Sequence, residues 1–291
     1  MLFRSDATSD REVNPRLNVA WTLGGGILRV AWGLYSQRQG WHELHVADGE
    51  TQLRRAERAE HKIIGYEHAL GRGVSLRLEA YERTSWRLRP RWENVDNGYD
   101  LFPEAQPDRV LIQPKEGRAR GVEVLLASRG NRELTWNVSY ALARAEERIA
   151  TGWIRRAREQ RHTVYADVTY VPNARWQLSA AWQYHSGWPT TNVDYALAAL
   201  TTGRRVLVSA NGPLYGLSLP NYHRLDLRAT RRFALRRGEL RVFIDVFNAY
   251  NRTNYVGYIH NVSVSGTTIT ETRKPRYQLP LLPSAGVAWE F

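Results

Sequence analysis

The sequence predicts an all-β fold, an antiparallel up-and-down transmembrane β-barrel segment of about eleven strands. Three observations support this prediction. Apolar and polar residues alternate with a period of two, over segments long enough to cross a bilayer as tilted strands. Short connections between these segments alternate with long polar ones. The chain of 291 residues also carries 11 Trp and 15 Tyr, although its mean hydropathy is negative.

The composition favours a membrane barrel, in which aromatic girdles lie at both interfaces and a polar lumen lowers the mean hydropathy. The formal net charge of +12 is carried almost entirely by arginine, because Lys62, Lys115 and Lys274 are the only lysines. These arginines are spread along the chain, so nucleic-acid binding is not predicted. The absence of cysteine excludes disulfides and thiolate metal sites. No segment approaches the roughly 18 apolar residues of a membrane helix.

The alternation is clear in the first predicted strand, where Leu17, Val19 and Trp21 alternate with Asn18 and Thr22. Successive side chains on a strand point to opposite faces, so the first set can meet lipid and the second water. The pattern recurs along the chain, and it is weaker in the third and fifth segments, which are placed partly by spacing. The predicted strands span about 15–23, 27–38, 61–70, 74–87, 117–128, 133–146, 160–171, 175–187, 222–234, 238–250 and 282–291.

The connections support the same architecture, because short periplasmic turns alternate with long outer loops in transmembrane barrels. The short connections are Gly24-Gly25-Gly26, Gly71-Arg72-Gly73, Gly130-Asn131, Pro172-Asn173 and Arg236-Arg237-Gly238. The long connections, interpreted as polar loops, span roughly 39–60, 88–116, 147–159, 188–221 and 251–281.

The last strand carries Val287, Trp289 and Phe291 on one face. It resembles the C-terminal signal of bacterial outer-membrane proteins, which the barrel-assembly machinery reads, and the resemblance implies a periplasmic C-terminus. Counting back over an odd number of strands makes the first strand descend from outside, so residues 1–14 are predicted to be the tail of an extracellular loop. The first and last strands would run parallel and could not pair to close a barrel.

The N-terminal residues also agree with a partial barrel. The start of the chain, Met1-Leu2-Phe3-Arg4-Ser5-Asp6, lacks the apolar region of a signal peptide. The chain is therefore predicted to be a fragment. We expect its exposed strand edges to cause aggregation or dimerisation when it is expressed alone.

Several segments resemble TonB-dependent receptors, particularly the branch with a carboxypeptidase-regulatory-like domain. They are the stretch from Asn14-Pro15-Arg16-Leu17 to Trp21, Ala59-Glu60-His61 leading to Tyr66-Glu67-His68, Gly121-Val122-Glu123, Gln160-Arg161-His162, and Phe247-Asn248-Ala249-Tyr250-Asn251-Arg252-Thr253-Asn254-Tyr255. The resemblance implies a 22-stranded barrel with a lumenal plug, of which residues 15–291 are the C-terminal half, open as an isolated chain. It also implies that TonB engages the parent protein through the absent plug region.

Ligand contacts are predicted on aromatic residues of the long connections, with arginines nearby that could hold anionic groups. The candidates are Trp41, Trp92, Trp153, Trp188, Tyr195 and Tyr215. The alternative is that arginine-rich outer loops meet the phosphates of lipopolysaccharide. The ligand is not identified by the sequence.

Two segments contain histidine but do not predict a metal site or an active site. In Trp41-His42-Glu43-Leu44-His45 the two histidines are three apart, but the segment does not complete a zinc-binding pattern. His185 and Ser186 are adjacent on a predicted strand and so point to opposite faces, which does not suit a hydrolase. No catalytic residue, metal site or cofactor is predicted. Arg228 and Asp245 are predicted to face each other as a lumenal cross-strand pair.

Three functions remain open. The favoured one is part of an outer-membrane receptor for energised uptake of an unidentified ligand, surrounded by outer-membrane lipid and lipopolysaccharide. The alternatives are a passive porin-like channel without a plug and a surface adhesion or assembly barrel. The isolated chain is expected neither to transport nor to act as an enzyme.

Overall fold

The computed structural model describes residues 2–5, 10–96, 102, 104, 106, 108–130 and 133–291. Within these ranges the regular structure is mainly antiparallel strand, and it includes the single-turn 3₁₀ helices Trp41–Glu43 and Val46–Asp48. No helix in this described part is long and apolar enough to cross a membrane. Asn131, assigned above to a short turn, lies outside the described residues.

The strands are numbered in chain order. They are β1 (Leu2–Ser5), β2 (Asp10–Val13), β3 (Arg16–Leu23), β4 (Gly26–Gln37), β5 (Glu57–Gly71), β6 (Val74–Trp86), β7 (Arg91–Asn94), β8 (Arg109–Ile112), β9 (Glu116–Ser128), β10 (Leu134–Ile149), β11 (Gly152–Arg155), β12 (His162–Asn173), β13 (Trp176–His185), β14 (Pro189–Thr190), β15 (Val193–Ala199), β16 (Arg205–Asn211), β17 (Leu217–Ser218), β18 (Tyr222–Ala234), β19 (Glu239–Phe247), β20 (Tyr255–Ser265), β21 (Thr268–Tyr277) and β22 (Leu282–Glu290).

Eleven strands form one continuous sheet in the order β22-β19-β18-β13-β12-β10-β9-β6-β5-β4-β3, and β11 adds a short twelfth strand beside β10. The eleven predicted strands are confirmed, including the two weaker segments, which are β5 and β9. β10 extends beyond its predicted end because β11 pairs with its last residues, Glu146 to Ile149. β19 ends earlier than predicted because Asn248 adopts a left-handed conformation with φ 53°.

The sheet is open. Every neighbouring pair in it is antiparallel, so across eleven strands the two edge strands, β3 and β22, run in the same direction. They cannot pair with each other in an antiparallel barrel, and each can accept only a strand that runs the opposite way. The expected open segment is therefore what the structure has.

The two ends of the strands differ. At the short-turn edge, strands are joined by two to five residues, as between Leu23 and Gly26 or Ala234 and Glu239. Gly24 and Gly25 both have positive φ, at 57° and 77°, which a two-residue hairpin of the favoured hand requires. At the opposite, long-loop edge, the connections are long, so the predicted alternation of connection lengths is confirmed.

The long connections are not loops without strands, and that part of the prediction is wrong. They contain the hairpins β7–β8, β15–β16 and β20–β21 and the short pair β14–β17. Residues 1–14 also contain a hairpin, β1–β2. Their apolar alternation is short or interrupted: in β15 it covers Val193, Tyr195 and Leu197, and in β20 His260 lies between Tyr258 and Val262. The local signals for β20–β21 are a Gly266 turn with φ 61° and the β-branched run Thr268-Ile269-Thr270.

The main sheet has two chemically distinct faces. The apolar face follows the register Val19–Val30–Ile64–Ala80–Val122, and Val19, Ile64 and Val122 are 49%, 52% and 48% exposed. Exposure of so many aliphatic side chains is expected where lipid, not water, is the solvent.

The polar face carries charged groups that pair with each other along the wall. Arg29 Nη2 lies 3.3 Å from Glu67 Oε2, and Arg77 Nη2 lies 2.7 Å from Glu79 Oε2. Glu79 lies directly opposite Glu123 in the register of β6 and β9. This face has the character of a lumen wall.

Aromatic residues gather on the apolar face near both ends of the strands. Near the short-turn edge they are Trp21, Trp136, Tyr170, Trp176 and Trp289. Near the long-loop edge their polar atoms are paired: the Tyr140 hydroxyl lies 2.9 Å from His162 Nδ1, and Trp182 Nε1 donates to the Tyr250 hydroxyl at 3.2 Å. Two such rows separated by an aliphatic band are typical of the girdles at the two membrane interfaces.

Candidate functional site

The long connections pack together beyond the long-loop edge and form what we term the outer-loop layer, residues 87–96, 108–115, 147–156 and 186–221. Its small core contains Val95, Ile112 and Tyr215, all buried. The hydrophobic residues packed against this core are Val110, Ile149, Ile154 and Leu214. Three separate connections therefore share one core, which holds them in a defined arrangement above the sheet.

A buried carboxylate joins two arginines in this layer. Glu147, at the end of β10, is only 1% exposed. Arg91 Nη2 donates to its Oε2 at 2.7 Å, and Arg156 Nε lies 2.8 Å from its Oε1. Burial opposes the charge of Arg91, but Glu93 and Glu147 outweigh burial and raise the pKa of Arg91 above its usual value. Arg91 therefore stays charged, and its contact with Glu147 fixes β7 to β10.

Tyr215 lies in the core of the layer. Its hydroxyl donates to Glu93, and its backbone N–H donates to Thr191 Oγ1 at 2.8 Å. Burial raises the pKa of Tyr215, so the phenol stays protonated and remains a donor. Arg155 donates to the carbonyl oxygens of Tyr215 and Leu217, each at 2.6 Å. These contacts hold the segment around Tyr215 against β11.

A cleft of roughly 400 Å³ opens where the polar face of the sheet meets the long connections. We term it the arginine cleft, because five arginines line it together with carboxylates that include Glu43, Glu57 and Glu147; the arginines are Arg83, Arg89, Arg91, Arg118 and Arg156. Arg89 contacts Glu43 through Nη1 at 3.0 Å and Glu57 through Nε at 3.2 Å. Two hydrogen bonds to the Glu43 carboxylate lower its pKa. The larger effect comes from the backbone N–H of Gly40, and the smaller one from the Arg89 side chain. Guanidinium groups held in this way can present their remaining N–H groups to oxygen atoms of a ligand.

The six aromatic residues predicted as ligand contacts are not brought into one pocket. Trp41 is 72% exposed, whereas Tyr215 is 3% exposed; Trp92 and Trp153 lie at the surface. Trp188 stacks on His185 with ring centroids 5.2 Å apart, and Tyr195 lies 6.1 Å from the His260 ring.

None of these six, all of them within the described ranges, lines the arginine cleft. The arginines that do so were not singled out from the sequence. The one local signal for them is the Arg89-Pro90-Arg91 run that leads into β7.

Hairpin β20–β21 is tied to the outer-loop layer through His260. Its Nδ1 lies 2.5 Å from Glu271 Oε1, and its Nε2 lies 2.7 Å from Asp96 Oδ2. Burial raises the pKa of Asp96, and the neighbouring His260 opposes that shift. Thr190 Oγ1 donates to Asp96 Oδ1 at 3.1 Å. One histidine thus links two long connections.

The predicted cross-strand pair is present in the wall. Arg228 lies directly opposite Asp245, and Arg228 Nη1 lies 3.5 Å from Asp245 Oδ2. Both belong to a wide hollow on the polar face that Asp167 and Asp226 also line. A lumenal role for the pair remains a prediction.

The C-terminal strand presents its apolar residues to the surroundings. Val287 and Trp289 on β22, followed by Phe291, are all strongly exposed, and Val287 lies opposite Val242 on β19. This is the arrangement expected of an edge strand whose apolar face meets lipid.

Solved structures with a similar fold are outer-membrane receptors. The ferripyoverdine receptor of Pseudomonas aeruginosa aligns with a TM-score of 0.57 at 13% identity, over 97% of this chain and 34% of its own. The ferric citrate transporter FecA aligns with 0.56 at 14% identity, over 95% and 38%. The siderophore receptor PiuA of Acinetobacter baumannii aligns with 0.58 at 11% identity, over 96% and 36%. The chain therefore has the fold of part of such a barrel and spans about a third of the length of these receptors.

No protein-family model and no curated relative matches the sequence. At the identities above, the likeness establishes the fold alone. The fold, the two faces and the aromatic rows fit an outer-membrane barrel, and the structures that share this fold are receptors and transporters.

Proposed function

We propose that this chain is the C-terminal half of a 22-stranded outer-membrane receptor barrel that captures a ligand outside and takes it up through the lumen. The observation that carries the proposal is the open sheet of eleven strands, with edge strands β3 and β22 running in the same direction. Closing it requires an odd number of further strands, and eleven would complete a barrel of the size the receptor family has.

In this proposal the long-loop edge faces outward, and the outer-loop layer and arginine cleft receive the ligand. The cleft suits a polar ligand with anionic oxygen atoms, because guanidinium groups bind such atoms with paired hydrogen bonds. The fold neighbours include receptors for ferripyoverdine and ferric citrate, and we infer a ligand of comparable polarity. Trp41, Trp92 and Trp153 remain candidates for additional contacts by stacking.

Uptake is energised by TonB acting on a plug that the other part of the barrel holds. The surrounding partners are outer-membrane lipid, lipopolysaccharide, and the barrel-assembly machinery that reads Val287, Trp289 and Phe291. Residues 1–14 belong to an outer loop. This chain by itself encloses no lumen, so we expect no transport from it alone.

The proposal is tested by determining the coding sequence upstream of Met1. We expect a TonB box, a plug and about eleven further strands, in frame or separated by a single frameshift. Strands without a plug would contradict energised uptake and favour a passive channel. A periplasmic repeat domain or a secreted passenger in that position would favour an assembly or adhesion barrel instead.

A further inference from the structure

Hairpin β20–β21 is anchored to the rest of the chain at two levels. At its base, Asn254 Nδ2 donates to the carbonyl oxygen of His223 at 3.0 Å, and the backbone N–H of Gln278 donates to the carbonyl oxygen of Asn254 at 2.8 Å. These are amide contacts, and their strength does not depend on a titratable group. Further out along the hairpin, His260 contacts the outer-loop layer. The outer anchor therefore contains a group that changes charge, whereas the base does not.

The imidazole ring of His260 lies between two carboxylates that come from different parts of the chain. Its side chain is only 7% exposed. Nδ1 lies 2.5 Å from Oε1 of Glu271, on the same hairpin, with hydrogen-bond geometry. Nε2 lies 2.7 Å from Oδ2 of Asp96, in the outer-loop layer, without hydrogen-bond geometry. The contact with Asp96 therefore depends on the charge of the ring and not on an aligned hydrogen bond.

The protonation state of His260 decides whether both contacts are favourable. A neutral imidazole has one N–H group, and an imidazolium has two. If the neutral ring donates from Nδ1 to Glu271, its Nε2 lone pair faces the carboxylate of Asp96, which is repulsive. If the proton lies on Nε2 instead, the same conflict arises at Glu271. The imidazolium satisfies both carboxylates at once.

The other titratable groups around the ring leave an excess of negative charge. Arg273 is opposite His260 in the hairpin register, and its Nη2 lies 3.9 Å from Asp96 Oδ1. Asp108 adds a carboxylate, which accepts the backbone N–H of Asp96 at 3.0 Å. The ring of Tyr195 lies 6.1 Å from that of His260, and burial raises the pKa of Tyr195, so its phenol is neutral. The imidazolium thus offsets carboxylate charge that Arg273 alone leaves unbalanced.

We propose that His260 is a pH-dependent latch on the outer-loop layer: its imidazolium docks hairpin β20–β21 on Asp96, and loss of the ring proton releases the hairpin. Histidine changes charge between about pH 5 and 8, and protonation of histidine switches interfaces in this range. Raising the pH removes the imidazolium and therefore the docking. Burial raises the pKa of Asp96, so docking also weakens at the acid limit, where this carboxyl group takes up a proton. The latch goes beyond the proposed function, because it does not depend on which ligand the barrel binds.

The test measures the position of the hairpin directly. The chain contains no cysteine, so spin labels can be attached to cysteines introduced at Thr267, in the hairpin turn, and at Gln113, in the outer-loop layer. The distance between the labels is measured by pulsed electron paramagnetic resonance on the full chain in lipid vesicles, from about pH 5.5 to about pH 8.5. The variants are His260→Gln and Glu271→Gln. The matched control is His162→Gln, which removes a histidine whose Nδ1 contacts a hydroxyl group and not a carboxylate.

In the labelled chain that retains His260, we expect the ratio of docked to released hairpin to fall at least about ten-fold across this range, because the contact that is lost is a buried ion pair. The control should show the same fall, and His260→Gln should be released at both ends. Glu271→Gln should stay docked at high pH, because a neutral ring can then turn its one N–H group to Asp96.

Three results would overturn the latch. They are a hairpin that stays docked at every pH when His260 is present, a pH dependence that survives in His260→Gln, and an unchanged pH dependence in Glu271→Gln. If His260→Gln does not insert into vesicles, Glu271→Gln decides the question, because its substitution lies on the more exposed side of the contact, where the carboxylate is 37% exposed.

Discussion

Replacing Ile64 with arginine is expected to destabilise the membrane-inserted sheet by about 2–4 kcal/mol, the cost of a cation on the lipid face near mid-bilayer. Ile64 is 52% exposed and lies between Val30 and Ala80 in the register of the apolar face. A cation there has no water and no partner. The measurement is the urea midpoint for unfolding of the chain in lipid vesicles, followed by tryptophan fluorescence.

The neighbouring residue provides a control with the same substitution. Ile63 is on the polar face, opposite Tyr81 on β6, in a shallow hollow that Glu67 and Glu79 also line. Ile63→Arg should cost no more than about 1 kcal/mol, because the new cation meets water and carboxylates. Similar losses from both substitutions would contradict the assignment of the two faces.

Replacing Glu147 with glutamine is expected to loosen the outer-loop layer without unfolding the sheet. The carboxylate is buried between Arg91 and Arg156, and removing one partner of a buried ion pair costs roughly 3 kcal/mol. Trypsin cleavage after Arg155 and Arg156 should therefore accelerate about a hundred-fold if cleavage proceeds through local opening. The rate is read from the intact inserted chain by mass spectrometry.

Glu116→Gln is the matched control for this prediction. It removes an equivalent charge from the pair with Arg148, whose atoms are 3.4 Å apart and whose arginine side chain is 51% exposed. An exposed pair contributes at most about 1 kcal/mol, so cleavage should change less than about five-fold. If Glu147→Gln behaves like this control, the buried network does not hold the layer together.

Most of the wall could be predicted because a single physical constraint governs it. A strand between lipid and lumen must alternate apolar and polar residues. This alternation identifies each strand of the sheet, from the first, which contains Leu17-Asn18-Val19, to the last, which contains Val287. Parity then required the open edges, since alternating directions along an odd number of strands leave both ends parallel. Even the register of Arg228 and Asp245 followed from the position of one tight turn.

The strands and contacts within the long connections were not predicted, because the alternation required of a strand between lipid and lumen does not apply to segments outside the bilayer. In β20 the polar residue His260 interrupts the apolar alternation of Tyr258, Val262 and Val264, and β21 has no such alternation, so the turn at Gly266 is the clearest mark of the hairpin. Arg91, Glu93 and Glu147 meet from connections far apart in sequence, and no local pattern reports such a contact. The sequence also does not distinguish an aromatic ring that contacts a ligand from one that fills a core, and the Tyr215 ring is buried in the core of the layer.

The most direct test of the central claim, that the sheet is a membrane-spanning barrel wall with one lipid face, is site-directed spin labelling along β10. The chain contains no cysteine, so single cysteines introduced at positions 136–143 can be labelled uniquely in lipid vesicles. We expect oxygen accessibility to peak at 136, 138, 140 and 142, and accessibility to a polar nickel complex to peak at 137, 139, 141 and 143. Equal accessibility to the nickel complex at all eight positions would contradict a lipid-facing wall.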